Sequence, residues 1–173
     1  NKNIDKSTIP LLVIKQFIED ITDTAGFDNG YLVTENVEDI DINKDPLWNI
    51  LQKKADRDRE ITIYSYGNKF KQFRHWNSQM DCAFNALHVN SKRPKGVSLK
   101  GLRGTDEIIQ KGVKAGSGFV KVMTNIVDRT EEHNYVKIGI YCRSGHHRSV
   151  ACAELLLKFV YPKAIIKHIT FNK

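Results

Sequence analysis

Cys142, Arg143, Ser144, Gly145, His146, His147, Arg148 and Ser149 bring together, in eight consecutive positions, residue types that suit a bound phosphate. The apolar run 136–141 reads as a strand before them, and 149–161 as a helix after them. A tight connection of this kind exposes successive backbone N–H groups. The helix start adds its own unsatisfied amides and a positive dipole end. Gly145 lets the backbone curl around an oxyanion. Arg148 offers a planar fork to a phosphate, Arg143 a second charge and Ser149 a hydroxyl. His146 and His147 can donate or move protons near neutral pH. The expectation is an anion cradle over 142–149. The plainer alternative makes Arg148 a structural partner of Glu154, and Glu154 itself sits four residues before Lys158 in helix-pair spacing.

Two chemistries fit this stretch. Cysteine-dependent phosphatases carry a cysteine, a glycine three later, an arginine six later and then Ser or Thr, which Cys142, Gly145, Arg148 and Ser149 resemble. That resemblance implies a Cys142 thiolate nucleophile and an Arg148 phosphate clamp. Tyr141 stands where such enzymes usually have histidine, and the acid they need has no marked loop. Asp81, Asp106 and Asp128 are the candidates, each explicable as a strand-edge or helix-end residue. The expectation is that Cys142 lines the ligand rather than attacks it, so no catalytic residue is favoured.

The second likeness covers more of the chain. The stretch 141–150 with Ala153 and Glu154 resembles the G-C-T-G-G-x-H-R-S-V and A-E pattern of the RapZ carboxy-terminal domain family. Upstream, Ser65, Tyr66, Gly67 and Lys69 are similar to its S-F-G-x-K strand end, and Asp81, Phe84 and Asn85 to its D-x-x-F-D. Asn90, Pro94, Leu99, Leu102, Gly104 and Asp106 fall where it has N-P…L-x-x-x-T-G-L-D, and Lys167-His168 where it has a basic pair on the last strand. The likeness spans about 61–171. It departs at Asn85 for an aspartate, Arg143 for a threonine and Ser144 for a glycine. Residues 1–60 hold no G-x-x-x-x-G-K-[ST] of the kinase-like domain that precedes this module in the bacterial protein. The resemblance implies a phosphorylated small molecule in the loop, with His168 among the ligand-binding residues, and a basic surface contacting RNA. No cofactor is expected. A zinc site from Cys142, His146, His147 and His168 is disfavoured by adjacent histidines and the lack of Cys-x-x-Cys.

Charge is unevenly spread. Residues 1–60 hold 8 Lys/Arg against 13 Asp/Glu, whereas 61–173 hold 19 against 7 and all six histidines. A domain this basic attracts polyanions. Lys69, Lys71 and Arg74, interleaved with His75 and Trp76, together with Lys92, Arg93 and Lys167, are the expected nucleic-acid contacts. Solvated loops share that composition. Three cysteines without paired spacing predict a reducing, cytoplasmic setting, with Cys82 and Cys152 as small buried apolar residues. No apolar run reaches membrane-helix length and no signal segment opens the chain, so no membrane is expected. An oligomeric partner remains open.

The elements positioning the loop read as α/β: a small, mostly parallel sheet with flanking helices over 59–173, preceded by an acidic, mainly helical extension over 1–58. In the extension, Ser7 and Pro10 open a helix whose apolar face runs to Ile21, Asp28-Asn29-Gly30 marks a turn, and Asp45-Pro46 caps a second helix. Strands are expected at 61–66, 82–89, 136–141 and 164–171. A polar surface loop is expected at 68–80. A helix opened by Thr105 is expected over 105–128, broken near Gly112, Gly116 and Gly118.

Overall fold

The computed structural model describes residues 27–28, 31–34, 37, 40–94 and 96–172. The helix expected from Ser7 lies outside them. Among the described residues, seven strands and five α-helices follow in chain order: β1 (Phe27–Asp28), β2 (Tyr31–Thr34), α1 (Pro46–Lys54), β3 (Thr62–Gly67), α2 (Phe73–Ser78), β4 (Cys82–Asn85), β5 (Ser91–Pro94), α3 (Glu107–Lys114), α4 (Phe119–His133), β6 (Lys137–Cys142), α5 (Arg148–Phe159) and β7 (Ile165–His168).

The central sheet has the order β4-β6-β3-β7, and every neighbouring pair is parallel. The mostly parallel α/β sheet with flanking helices is therefore present. Parallel pairing places Gly67, Asn85, Cys142 and His168 at one end of the sheet, where ligands of open α/β sheets bind. In a second sheet, β1-β2-β5, β1 pairs antiparallel with β2, and β2 runs parallel to β5.

One face of the central sheet carries Ile63, Ile138, Ile140 and Phe84, which join Cys152, Leu155, Met123, Ile126, Ile109 and Val113 in the buried core. Such a fully buried aliphatic side chain contributes roughly 1.5–3 kcal/mol. α1 joins this core too. Asp45 caps it by accepting from the Leu47 amide at 2.8 Å, and Trp48 stacks on Phe159 at 4.6 Å. Cys152 is fully buried, which pushes its thiol up to about 12, whereas Cys82 is half-buried.

Several boundaries differ from expectation. Within 68–80 lies the short helix α2, held by Phe73 against Tyr141 (5.0 Å) and Tyr66 (6.0 Å), so distant aromatic packing made it helical. The strand expected over 82–89 stops at Asn85, whose side chain accepts the Leu87 amide at 2.9 Å and turns the chain into a short 3-10 segment. β5 was not expected, because Ser-Lys-Arg-Pro has no apolar alternation. The expected 105–128 helix is two, broken at Gly116–Gly118 with Gly118 at φ +79°. Gly112 stays inside α3, where its missing side chain admits the Lys92 carbonyl. Asp106, not Thr105, occupies the cap position of α3, its carboxylate accepting from the Arg103 amide at 2.6 Å.

Candidate anion-binding site

The 143–147 loop links β6 to α5 at the carboxyl end of the sheet. Its carbonyls are drawn outward by neighbouring amides: Asn68 N–H donates to Cys142 O (2.8 Å), Lys69 N–H to Arg143 O (3.2 Å) and Gly104 N–H to His146 O (2.8 Å). In a trans peptide the N–H points opposite the carbonyl. The amides of Arg143, Ser144 and His147 therefore turn away from those neighbours. α5 opens without a side-chain cap, so its first turn adds N–H groups and the positive helix end.

Glycines make this curl fit. Gly145 sits at φ +73°, and a side chain there would run into Thr170 Oγ1 and the backbone of Tyr66 and Gly67. Gly67 admits the Ser144 backbone, and Gly104 admits the first turn of α5. Beside the loop lies a cavity of about 290 Å³ lined by Leu99, Gly101, Leu102, Arg103, Ser144, His146 and His147.

Most polar side chains of the predicted site are engaged with the protein itself. Arg148 Nη1 donates to the carbonyls of Leu87 (3.3 Å) and Val89 (3.2 Å), tying the loop to the connection after β4. Cys142, 2 % exposed, receives the Gly145 N–H on its sulfur at 3.3 Å and lies 3.3 Å from the buried Ser149 hydroxyl. His147 Nε2 meets the Leu102 carbonyl at 2.9 Å, and His146 Nδ1 accepts from Arg103 at 3.3 Å. Burial lowers the pKa of both rings from the ordinary imidazole value. Arg103 lowers it further at His146, and Arg148 at His147. Arg143 is exposed at the rim.

His168 is tied to the neighbouring strand and helix. Its Nδ1 meets Ser65 Oγ at 2.6 Å and its Nε2 meets Glu154 Oε1 at 2.8 Å, so β3, β7 and α5 are joined beneath the loop. Glu154 thus pairs with neither Arg148 nor Lys158. Cys142, His146, His147 and His168 each have different neighbours, and among the described residues no cluster of three or more His, Cys, Asp or Glu could hold a metal ion. Arg103, Gly104, Thr170 and Ser65 shape the site without having been expected there. The family likeness at Ser65 and at Leu99, Leu102, Gly104 and Asp106 was the sequence signal that pointed to two of these segments.

The expected nucleic-acid residues do not form one cluster. Lys69 adjoins the loop, and Lys71 and Arg74 are exposed on the segment carrying α2. Lys167 extends over the Tyr64 ring on β3, whereas Lys92 and Arg93 lie on β5 of the other sheet. A larger open groove of about 930 Å³ runs between β4 and α4, with Asn85, His88, Asn90, Lys121 and Asn125 in its walls.

The model of the RapZ C-terminal domain matches residues 59–171. The chain belongs to that family. A nucleotide-binding protein of Corynebacterium glutamicum is 33 % identical over 115 residues, covering 60 % of this chain and 35 % of that protein. One of Corynebacterium diphtheriae is 30 % identical over 115 residues, covering 60 % of this chain and 36 % of its own. The chain thus spans about a third of the length of the curated relatives it matches. No solved structure matches it. Among the described residues no helix is long and apolar enough to cross a membrane.

Proposed function

We propose that this module is a non-catalytic sensor that binds a phosphorylated small molecule, a nucleotide or sugar phosphate, at 142–149 and contacts RNA through its basic surface. The carrying observation is the loop backbone. Its carbonyls are spent on Asn68, Lys69 and Gly104, which turns the paired amides away from those neighbours, and α5 opens uncapped at the end of the same loop. Such a site takes a phosphate through main-chain N–H groups, and Arg143 supplies charge at the rim. The name of the corynebacterial relatives supports a nucleotide as one candidate ligand.

Cysteine-dependent phosphatase chemistry is the second reading. In its favour, the Gly145 N–H and Ser149 hydroxyl converge on the Cys142 sulfur, where they would stabilise a thiolate. Against it, Cys142 is buried and the candidate acids are committed elsewhere. Asp81 accepts from the Val136 and Lys137 amides, Asp128 from Lys54, and Asp106 from the Arg103 amide.

A thermal-shift screen of inorganic phosphate, nucleotides and hexosamine phosphates separates the two. At saturating ligand, roughly a hundredfold above Kd, binding adds about 2.7 kcal/mol, a rise of several degrees. The expected result is selective stabilisation, reduced in Arg143→Ala, with no turnover. Phosphate release that disappears in Cys142→Ser would replace the sensor with an enzyme.

A further inference from the structure

The central sheet packs its helices and core on one face, that of Ile63, Ile138 and Ile140. By strand alternation, Thr62, Tyr64 and Tyr66 of β3 point to the other face, with Lys137 and Tyr141 of β6 and Ile165 and Lys167 of β7. α2 covers the upper part of this second face. Phe73 meets Tyr66 and Tyr141, and Met80 lies near Gly139. The lower part is open, with Ile165 59 % exposed, Lys167 exposed, and Tyr64 partly exposed between Lys137 and Lys167. The two ammonium groups stand 5.4 and 5.5 Å from the centre of the Tyr64 ring.

We infer that this face, centred on Tyr64, is a platform for single-stranded RNA. It deepens the RNA half of the proposed function and rests on that reading. An aromatic ring on an open sheet stacks an unpaired base, whereas a duplex keeps its base faces hidden. Charge complementarity selects the occupant: Tyr64 is flanked by two lysines, and exposed Glu60 lies beyond Thr62 at the lower edge. Asp81, at the adjoining strand end, spends one oxygen on the Val136 and Lys137 amides. The lysine–ring contacts are weak in water, so both ammonium groups can turn outward onto flanking phosphates and release the ring. Exposed Lys69, Lys71 and Arg74 continue the positive charge towards the loop end. The backbone of β3, which carries Tyr64, is paired on both sides, so the face reads side chain against base.

The test is binding of a single-stranded oligoribonucleotide about 10 nucleotides long, with 2-aminopurine at one position, to the full chain and to Tyr64→Leu, Tyr64→Phe and Lys137→Ala/Lys167→Ala. The expected results are stacking-dependent quenching and about tenfold weaker binding in Tyr64→Leu. Tyr64→Phe should retain both. The double lysine variant should lose about 0.7 per lysine from the salt slope. Binding unaffected by Tyr64→Leu would overturn the platform while leaving RNA contact elsewhere intact. No binding by wild type at low salt would overturn both. A Tyr64→Leu effect on oligomeric state or melting temperature, without one on RNA affinity, would mean that protein covers the face, a second copy or the acidic first third, and would overturn the platform.

Discussion

The loop end and the open sheet face use opposite parts of the chain. At the loop end Arg148, His147, His168, Cys142 and Ser149 are engaged with protein groups, and the backbone amides, with exposed Arg143 at the rim, are what remains to meet a ligand. On the open face the backbone of β3 and β6 is used on both sides in the sheet, and Tyr64, Lys137 and Lys167 present side chains. Substitutions of the engaged loop side chains should therefore register chiefly as stability, and those of Arg143 and of the open face as binding.

The sharpest break of that contrast is Gly145→Ala. A positive φ and contacts with Thr170 and the Tyr66–Gly67 backbone leave no room for a methyl group. A loss on the order of 3 kcal/mol is expected by chemical denaturation. His168→Ala comes next. It leaves Ser65, fully buried, and the Glu154 carboxylate without their partner, for about 1–3 kcal/mol. An unchanged denaturation midpoint would mean that this link does not support the loop. Arg148→Ala removes the donor to the Leu87 and Val89 carbonyls and should cost about 1–2 kcal/mol, even with no ligand present.

Acidification gives a smaller effect of known sign. The folded-state pKa of His146 and His147 is lowered, so on acidification through the ordinary value near 6.5 the unfolded chain takes up protons first. Their contribution is present above that range and is lost as pH falls through it. Melting temperatures at pH 7 and pH 5 should therefore differ less in His147→Gln than in wild type. The smallest stability change belongs to Tyr64→Leu, expected within about 0.5 kcal/mol of wild type, although its RNA affinity drops.

The loop was legible because its chemistry is contiguous: strand, Gly145, basic residues and helix start lie within one short stretch. The parallel sheet was legible from alternating strand and helix patterns. What stayed hidden depends on residues far apart in sequence. Ser65 and His168 are separated by 103 positions, and no local pattern announces their bond. α2 is polar in sequence and becomes helical because Phe73 finds Tyr66 and Tyr141. β5 lacks apolar alternation and pairs with β2 instead of the central sheet. Arg148 looked like an anion clamp because of its position, yet its Nη1 is directed to carbonyls that only the folded chain brings near.

The most direct measurement is a two-dimensional amide NMR titration with inorganic phosphate, followed by a nucleotide and a hexosamine phosphate. A phosphate held by the loop backbone predicts saturable shifts concentrated at the amides of 143–149, with Gly67 and Gly104 following. Shifts confined to the groove of Asn85, Lys121 and Asn125, or none with any of the three compounds, would contradict the loop as the anion site.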